Sequence, residues 1–173
     1  MLSTACDLIQ KDIRNNSAWN QRWFVCHRGK PGNQPLSLDM ARREADFAID
    51  QGAALDPYNE SPWRYLIGIL REQHQRVQAQ TTEESTLRDI IAEYEVRANV
   101  LRNVLIEANR DPETCVSMTS ARIDLLEMVG TDVALKSAIL LAEGLANEYD
   151  TVKRKYWALV LTRLRKHEVS ASI

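Results

Sequence analysis

The chain has 173 residues and a formal net charge of −2, and 45% of its residues are hydrophobic and 27% charged. This composition is ordinary for a globular protein, and the length suits one hydrophobic core better than two. The weak net charge excludes a general basic field that would recruit nucleic acid or an anionic membrane. We therefore predict a single domain over residues 1–173 and no nucleic-acid partner.

The three cysteines, Cys6, Cys26 and Cys115, are odd in number and widely spaced, and no pair has C-x-x-C spacing. This pattern predicts neither a disulfide framework nor a zinc site, so we expect no metal in this chain. Cys26 and His27 are adjacent, and adjacent side chains on a helix point about 100° apart. That geometry argues against a shared metal or a catalytic Cys/His pair, and no catalytic residue is predicted.

The N-terminal residues do not have the pattern of a signal peptide. There is no basic n-region, and Asp7, Gln10 and Lys11 interrupt the apolar positions. No apolar run approaches the roughly 20 residues that are needed to cross a bilayer. We predict a cytoplasmic protein without a membrane span.

Apolar residues recur at i, i+3, i+4 and i+7 along nearly the whole chain, which predicts amphipathic helices. The first such series is Leu2, Ala5, Leu8 and Ile9. No segment alternates with period two for long enough to predict a strand. The predicted helices cover residues 2–11, 17–28, 37–54, 61–79, 85–109, 112–129, 133–148 and 151–167.

Turn and capping residues separate these helices. The clearest predicted loop is 29–35, which contains two glycines and two prolines. Thr81 and Thr82 precede Glu84 in the manner of a capping box. Further predicted boundaries are Ser61-Pro62 and Asp111-Pro112, each a cap residue before a proline, and the Gly130-Thr131-Asp132 break.

Short connections make neighbouring helices antiparallel, so the helices are predicted to form hairpins. The fold class that follows is all-α, an α–α superhelix or solenoid of about four helical hairpins. The predicted hairpins cover about 1–28, 37–79, 85–129 and 133–167.

A short signature is repeated in the chain: Asp, then Asn three residues later, then Trp four residues after that. The first two copies are offset by 44 residues, and two looser copies follow in the same register. Asp and Asn satisfy free backbone N–H groups where a helix starts, and Trp can wedge between paired helices. The four copies are Asp12/Asn15/Trp19, Asp56/Asn59/Trp63, Asp111/Thr114/Met118 and Asp150/Lys153/Trp157.

The signature and its surroundings resemble the repeat of the protein prenyltransferase α subunits, in particular those of protein farnesyltransferase and type I geranylgeranyltransferase. The resemblance rests on Asp12-x-x-Asn15-x-Ser17-x-Trp19-x-x-Arg22, on Pro57–Leu70, and on Asp150–Trp157. It covers nearly the whole chain and corresponds to the C-terminal portion of such a subunit.

This resemblance implies a subunit that wraps and supports a catalytic β subunit in a heterodimer. The zinc, with magnesium as a further candidate, the isoprenoid diphosphate and the CaaX protein are then expected only in the complex, and no cofactor is expected in this chain. The Lys and Tyr that the family places near the diphosphate have no counterpart here. Asn15 matches a position near that diphosphate. The other signature residues are expected to be structural or partner-facing: Asp12, Trp19, Asn20, Arg22, Asp56, Asn59, Trp63, Asp150 and Trp157.

Two functions stay open at this point. The first is the α-subunit portion of an enzyme that transfers farnesyl or geranylgeranyl to CaaX cysteines. The second is a helical-repeat scaffold that binds other proteins and has no prenyltransferase activity. The basic residues between Lys153 and His167 are interpreted either as a solvated helix face or as a patch for an acidic partner.

Overall fold

A computed structural model describes residues 2–27, 36–77 and 84–171, with side chains up to Val169. Two compact units divide the chain, Met1–Glu84 and Ser85–Ile173. All regular structure in the described ranges is helical, which confirms the all-α prediction. The predicted loop at 29–35 and the predicted caps Thr81 and Thr82 lie outside the described residues. One repeat domain over residues 1–173 stays a prediction.

The described residues of the first unit form four α-helices, and each packs against a neighbour in sequence. The contacts join α1 with α2, α3 with α4, and α2 with α4. Helix α3 runs directly into one turn of π-helix, Ile49–Ala53. The helices are α1 Leu2–Lys11, α2 Asn16–His27, α3 Leu38–Ala48 and α4 Glu60–Val77.

The π turn brings the end of α3 against the start of α4. A Cβ added to Gly52 would overlap Pro62 Cβ and lie 2.9 Å from Cη2 of Trp19. Glycine is therefore needed here for close approach and not for an unusual backbone angle. Helix α4 begins at Glu60, and the Ser61 backbone N–H donates to Asn59 Oδ1 at 3.1 Å. The prediction that Ser61 caps this helix was wrong, because Asn59 already does so.

In the second unit, the described residues form four further α-helices and three short turns. Helix α6 packs against α7, and α7 packs against α8. Helix α5 meets α6 through the Arg122–Glu95 ion pair, with 2.8 Å between Nη2 and Oε1. The helices are α5 Glu84–Glu107, α6 Val116–Val129, α7 Asp132–Gly144 and α8 Arg154–Ala171; the turns are Pro112–Thr114 (3₁₀), Leu145–Tyr149 (π) and Thr151–Lys153 (3₁₀).

Two predicted boundaries of this unit can be compared with the structure. Gly130 ends α6 with a left-handed φ of 68°, and the Thr131 hydroxyl accepts from the Ala134 N–H to start α7. The predicted break is therefore present. The predicted helix 112–129 is instead a 3₁₀ turn followed by α6, because Asp111 caps the 3₁₀ turn and α6 begins only at Val116.

Each unit has its own buried core. In the first, Trp19, Trp63 and Leu66 are almost completely buried. In the second, Trp157 and Leu164 of α8 pack with the inner faces of α6 and α7. Burial of large apolar side chains is the main stabilising term in both units.

Candidate functional site

The repeated signature forms the same backbone turn in all four copies. In each, the backbone N–H of the third residue after the Asp donates to the Asp carbonyl oxygen. This hydrogen bond closes a tight turn just before the following helix. The bonds are Asn15 to Asp12 at 3.0 Å, Asn59 to Asp56 at 3.0 Å, Thr114 to Asp111 at 3.3 Å and Lys153 to Asp150 at 3.0 Å.

The Asp side chain supports this turn in the first three copies. Its Oδ1 accepts from the backbone N–H two residues later, at 3.0 Å for Asp12, 3.2 Å for Asp56 and 3.0 Å for Asp111. In the fourth copy, Asp150 Oδ2 instead accepts from the indole Nε1 of Trp157 at 3.0 Å. Asp thus stabilises the turn in every copy, although by two different hydrogen bonds.

The two signature asparagines cap helices. Asn15 Oδ1 accepts from the Ala18 N–H at 3.2 Å, and Asn59 Oδ1 accepts from the Ser61 N–H at 3.1 Å. Each bond satisfies a backbone donor in the first turn of its helix.

The signature tryptophans are buried and hydrogen-bonded. Their side chains are 2%, 1% and 2% exposed at Trp19, Trp63 and Trp157. Trp19 Nε1 donates to the Ile13 carbonyl at 2.9 Å, and Trp63 Nε1 donates to the Pro57 carbonyl at 2.8 Å. Both bonds reach six residues back along the chain, so each indole ties its helix to the turn before it.

The first two turns also bind each other. Asn59 Nδ2 donates to the Ile13 carbonyl at 2.8 Å, and Arg14 forms a 2.7 Å ion pair with Asp56 Oδ2. The Ile13 carbonyl therefore accepts hydrogen bonds from both Trp19 Nε1 and Asn59 Nδ2. The signature is used for stacking one turn on the next as well as for capping. Asn15 Nδ2, the counterpart of Asn59 Nδ2, has no acceptor among the described residues.

Arg22 lies in a buried polar network that joins α2, α3 and α4. Its Nε and Nη2 donate to the two carboxylate oxygens of Glu44 at 2.6 and 2.9 Å, and its guanidinium lies 3.5 Å from the Phe47 ring centroid. The Tyr65 hydroxyl donates to Glu44 at 2.6 Å, and Arg22 Nη1 donates to Cys6 Sγ at 2.7 Å. A buried carboxylate with three charge-assisted hydrogen bonds is well compensated.

This network also shifts the pKa values of Arg22, Tyr65 and Cys26. Burial opposes the charge of Arg22, but hydrogen bonding and charge from Glu44 raise its pKa overall. Burial and the Glu44 charge raise the pKa of Tyr65 far above its usual value. The same two causes raise the pKa of the Cys26 thiol to about 11. Cys26 is therefore the opposite of an activated nucleophile.

Cys26 and His27 do not converge on a shared site. Cys26 Sγ lies 3.8 Å from the Tyr65 hydroxyl, whereas His27 Nδ1 lies 2.7 Å from the Trp23 carbonyl and its Nε2 lies 3.2 Å from Glu72 Oε2. Among the described residues, no three His, Cys, Asp or Glu side chains are grouped to hold a metal ion. No described helix is long and apolar enough to cross a membrane.

The predicted site residues thus divide into two groups. Most are engaged inside the fold, as turns, caps, wedges or the buried ion pair. Asn20 is exposed on α2, one turn before the exposed Phe24, and makes no polar contact with the described residues. Sequence reasoning missed Glu44 and Tyr65, although a charged residue between Ala41 and Ala48 on an apolar stripe is the signal that could have found Glu44.

Comparison with known families agrees with this arrangement. Residues 1–29, which contain the first complete signature, match the family model described as "Protein prenyltransferase alpha subunit repeat". The helical hairpins and this match indicate the class: over residues 1–29 the chain is similar to the repeat of prenyltransferase α subunits.

The curated relatives narrow the similarity to one type of α subunit. The chain is similar to proteins named "Protein farnesyltransferase/geranylgeranyltransferase type-1 subunit alpha" from several organisms. It is 29% identical to that of Dictyostelium discoideum over 87% of this chain, 28% identical to that of Pisum sativum over 94%, and 32% identical to that of Solanum lycopersicum over 79%. These matches confirm the resemblance to the prenyltransferase α subunits. The chain spans 40%, 48% and 38% of the length of these relatives.

Proposed function

We propose that this chain acts as the α-subunit portion of a heterodimeric protein prenyltransferase, supporting a catalytic β subunit that transfers farnesyl or geranylgeranyl to CaaX cysteines. The observation that carries the proposal is the similarity to such α subunits along most of the chain. The zinc, the isoprenoid diphosphate and the CaaX protein then belong to the complex, and the complex works in the cytoplasm.

The geometry of the signature supports a scaffold role over a chemical one. Asp12, Asp56 and Asp150 close turns, and the three tryptophans fill the interior. Arg22 is held by Glu44 and cannot reach a ligand without leaving a buried carboxylate unpaired. Residues that are used as turns, wedges and a buried ion pair stabilise a surface on which a partner can bind.

Asn15 is the signature residue best suited to act near the diphosphate. Its Oδ1 is fixed by the cap to Ala18, which orients the amide and leaves Nδ2 as a donor without an acceptor among the described residues. A fixed amide donor can stabilise an anion at little cost in side-chain entropy. By the parallel with Asn59, the same donor would also suit the backbone carbonyl of a neighbouring repeat turn.

The partner-facing surface that we propose includes Asn20 and Phe24. Both lie on the exposed side of α2, and the Phe24 side chain is 65% exposed. An aromatic side chain left in solvent beside a polar amide is typical of the composition at protein interfaces.

The test is co-expression with an affinity-tagged prenyltransferase β subunit, followed by purification and mass spectrometry. We expect the chain to be recovered with β in equal amounts. The double variant Asn20→Asp/Phe24→Ser should lower recovery, whereas Leu140→Ser, a matched exposed apolar truncation on α7, should not. Thermal unfolding of each variant verifies that the fold is kept.

The second candidate function is a helical-repeat scaffold for other proteins, without prenyl transfer. It is favoured by the way the signature residues are used, as turns, caps and buried wedges, with no described group aimed at a reacting atom. Recovery of other proteins in place of β, from cells that supply both, would support it. Recovery of β would count against it.

A further inference from the structure

The second signature turn binds the first turn through three polar side chains: a carboxylate, an amide and a hydroxyl. These side chains belong to residues that stand at fixed offsets from the start of the signature. The contacts are Asp56 with Arg14 at 2.7 Å, Asn59 with the Ile13 carbonyl at 2.8 Å, and the Ser61 hydroxyl with Asn16 at 3.3 Å. One edge of the second turn is therefore built to receive a neighbouring turn.

The first turn has the same three residue types at the same offsets, in Asp12, Asn15 and Ser17. Asp12 Oδ1 closes its own turn and Asn15 Oδ1 caps α2, but Asp12 Oδ2, Asn15 Nδ2 and the Ser17 hydroxyl have no partner among the described residues. Asp12 and Ser17 are exposed, whereas the Asp56 side chain is only 16% exposed. We call Asp12, Asn15 and Ser17 the first-turn edge.

We infer that the first-turn edge is a docking surface for the turn of a further helical repeat. That turn presents a free backbone carbonyl at the residue after its Asp, and an arginine or lysine at the next residue. The carbonyl accepts from Asn15 Nδ2, the cation pairs with Asp12, and a polar side chain meets Ser17. An amide nitrogen carries two N–H groups, so this bond leaves the second one available. The inference goes beyond prenyl transfer and does not depend on a β subunit.

The mixed chemistry of the first-turn edge identifies its occupant. A simple anion would be repelled by the Asp12 carboxylate, and a cation alone would leave the Asn15 donor unpaired. A second copy of this chain does not fit, because its Arg14 and Ile13 carbonyl already bind its own second turn. Its other three turns have no cation at the Arg14 position, where they carry Tyr58, Glu113 and Val152.

The occupant is therefore a repeat turn that these 173 residues do not themselves supply. The chain spans less than half the length of its relatives, which leaves length for further repeats in proteins of this kind. A repeat of the prenyltransferase α-subunit type, with the cation and carbonyl described above, is the partner to which the first-turn edge is complementary.

The test places a second copy of residues 1–44 directly before Met1 of the full chain. The added turn then stands 44 residues before Asp12, the same offset as between the first two copies. Hydrogen exchange of the Asn15 side-chain amide, measured by NMR on ¹⁵N-labelled protein, should slow by about tenfold or more relative to the unextended chain. The Asn59 amide, which is already bonded, should exchange alike in both chains. Arg14→Glu in the added copy alone should restore fast exchange at Asn15, because its carboxylate repels Asp12.

Thermal unfolding of the same two chains separates docking from helix capping. Asn15→Ala removes the cap in both chains, but only in the extended chain does it also remove the bond to the added turn. Its loss in melting temperature should therefore be about 2–4 °C larger in the extended chain. Asn59→Ala, the matched control, should lower the melting temperature equally in both.

Three results would overturn the inference. The first is unchanged exchange at Asn15 in an extended chain whose added copy is helical by circular dichroism. The second is an equal loss for Asn15→Ala in the two chains. The third is a dimer of the unextended chain in sedimentation velocity that Asp12→Lys abolishes, which would assign the edge to a second copy. If the added copy does not fold, the 44 residues that precede the match in the Solanum lycopersicum relative replace it, with the same two measurements.

Discussion

The first two signature turns and the last two share one backbone hydrogen bond but differ in the number of side-chain contacts that they make. All four close the same Asp hydrogen bond. In the first unit, Asn59 also caps its helix and reaches the preceding turn at Ile13. In the second unit, Thr114 and Lys153 occupy the Asn position, and their side chains contact Asp111 and Asp150 and do not cap the following helix. The backbone turn therefore forms without the Asn, whereas the bond from one turn to the Ile13 carbonyl of the other needs it.

This difference explains which residues of the signature can be replaced. A backbone N–H to the Asp carbonyl is available to any residue except proline, so Asn, Thr and Lys all serve. A cap combined with a bond to a neighbouring turn suits an amide, which carries its acceptor and its donors on separate atoms. Trp can be replaced by Met118 in the third copy because burial, and not the indole N–H, supplies most of the stabilisation.

The largest effect should come from the tryptophans. Trp19→Ala and Trp63→Ala should each lower the free energy of unfolding by about 3–5 kcal/mol, because a large buried side chain is lost and a cavity is left. Urea unfolding followed by circular dichroism measures this. Trp19→Phe, which keeps a ring but loses the bond to Ile13, should cost much less. Values for both alanine variants within about 0.5 kcal/mol of the unmodified chain would mean that these residues are not wedges.

The second-largest loss of stability should come from the buried ion pair between Arg22 and Glu44. Glu44→Gln should destabilise the first unit by about 3–5 kcal/mol, since it leaves the Arg22 charge buried without a carboxylate. The double variant Arg22→Met/Glu44→Gln should recover part of that loss, because it removes both charges. The comparison is made by urea unfolding. A double variant less stable than Glu44→Gln alone would contradict the assignment.

The two asparagines should separate capping from stacking. Asn15→Ala should cost about 1 kcal/mol for the cap alone. Asn59→Ala should cost about 1 kcal/mol more, because its bond to the Ile13 carbonyl is lost too. The matched pair differs in this one interaction, so the same urea measurement isolates it. Equal losses would show that the inter-turn bond contributes nothing.

The smallest effect should be a gain. Lys153→Asn restores the signature in the fourth copy, supplies a cap to α8 and removes a cation from its N-terminus. We expect stabilisation by about 0.5–1 kcal/mol, which corresponds to a rise in melting temperature of about 1–4 °C. Lys155→Asn, which removes a charge but cannot cap, is the matched control. A lower melting temperature for Lys153→Asn would mean that this turn cannot position the amide.

Helix positions could be predicted closely because apolar periodicity is strong along the chain; α1 at Leu2–Lys11 is an example. The π turns at Ile49–Ala53 and Leu145–Tyr149 could not, because they change the hydrogen-bond register without changing the apolar pattern. The choice of Asn59 over Ser61 as the cap depends on where the backbone turns. The partners of Arg22 needed the packing of three helices, which no local pattern contains.

We propose that this chain is an α-subunit portion that supports a β subunit without supplying the reacting groups. The direct measurement is prenyl transfer to a CaaX peptide by β with this chain, beside β with a full-length α subunit and β alone. We expect a complex with β whose transfer rate is well below that of full-length α, because charge stabilisation of the departing diphosphate is worth about 2.7–4 kcal/mol per donor in comparable sites. Equal rates for this chain and full-length α would contradict the claim.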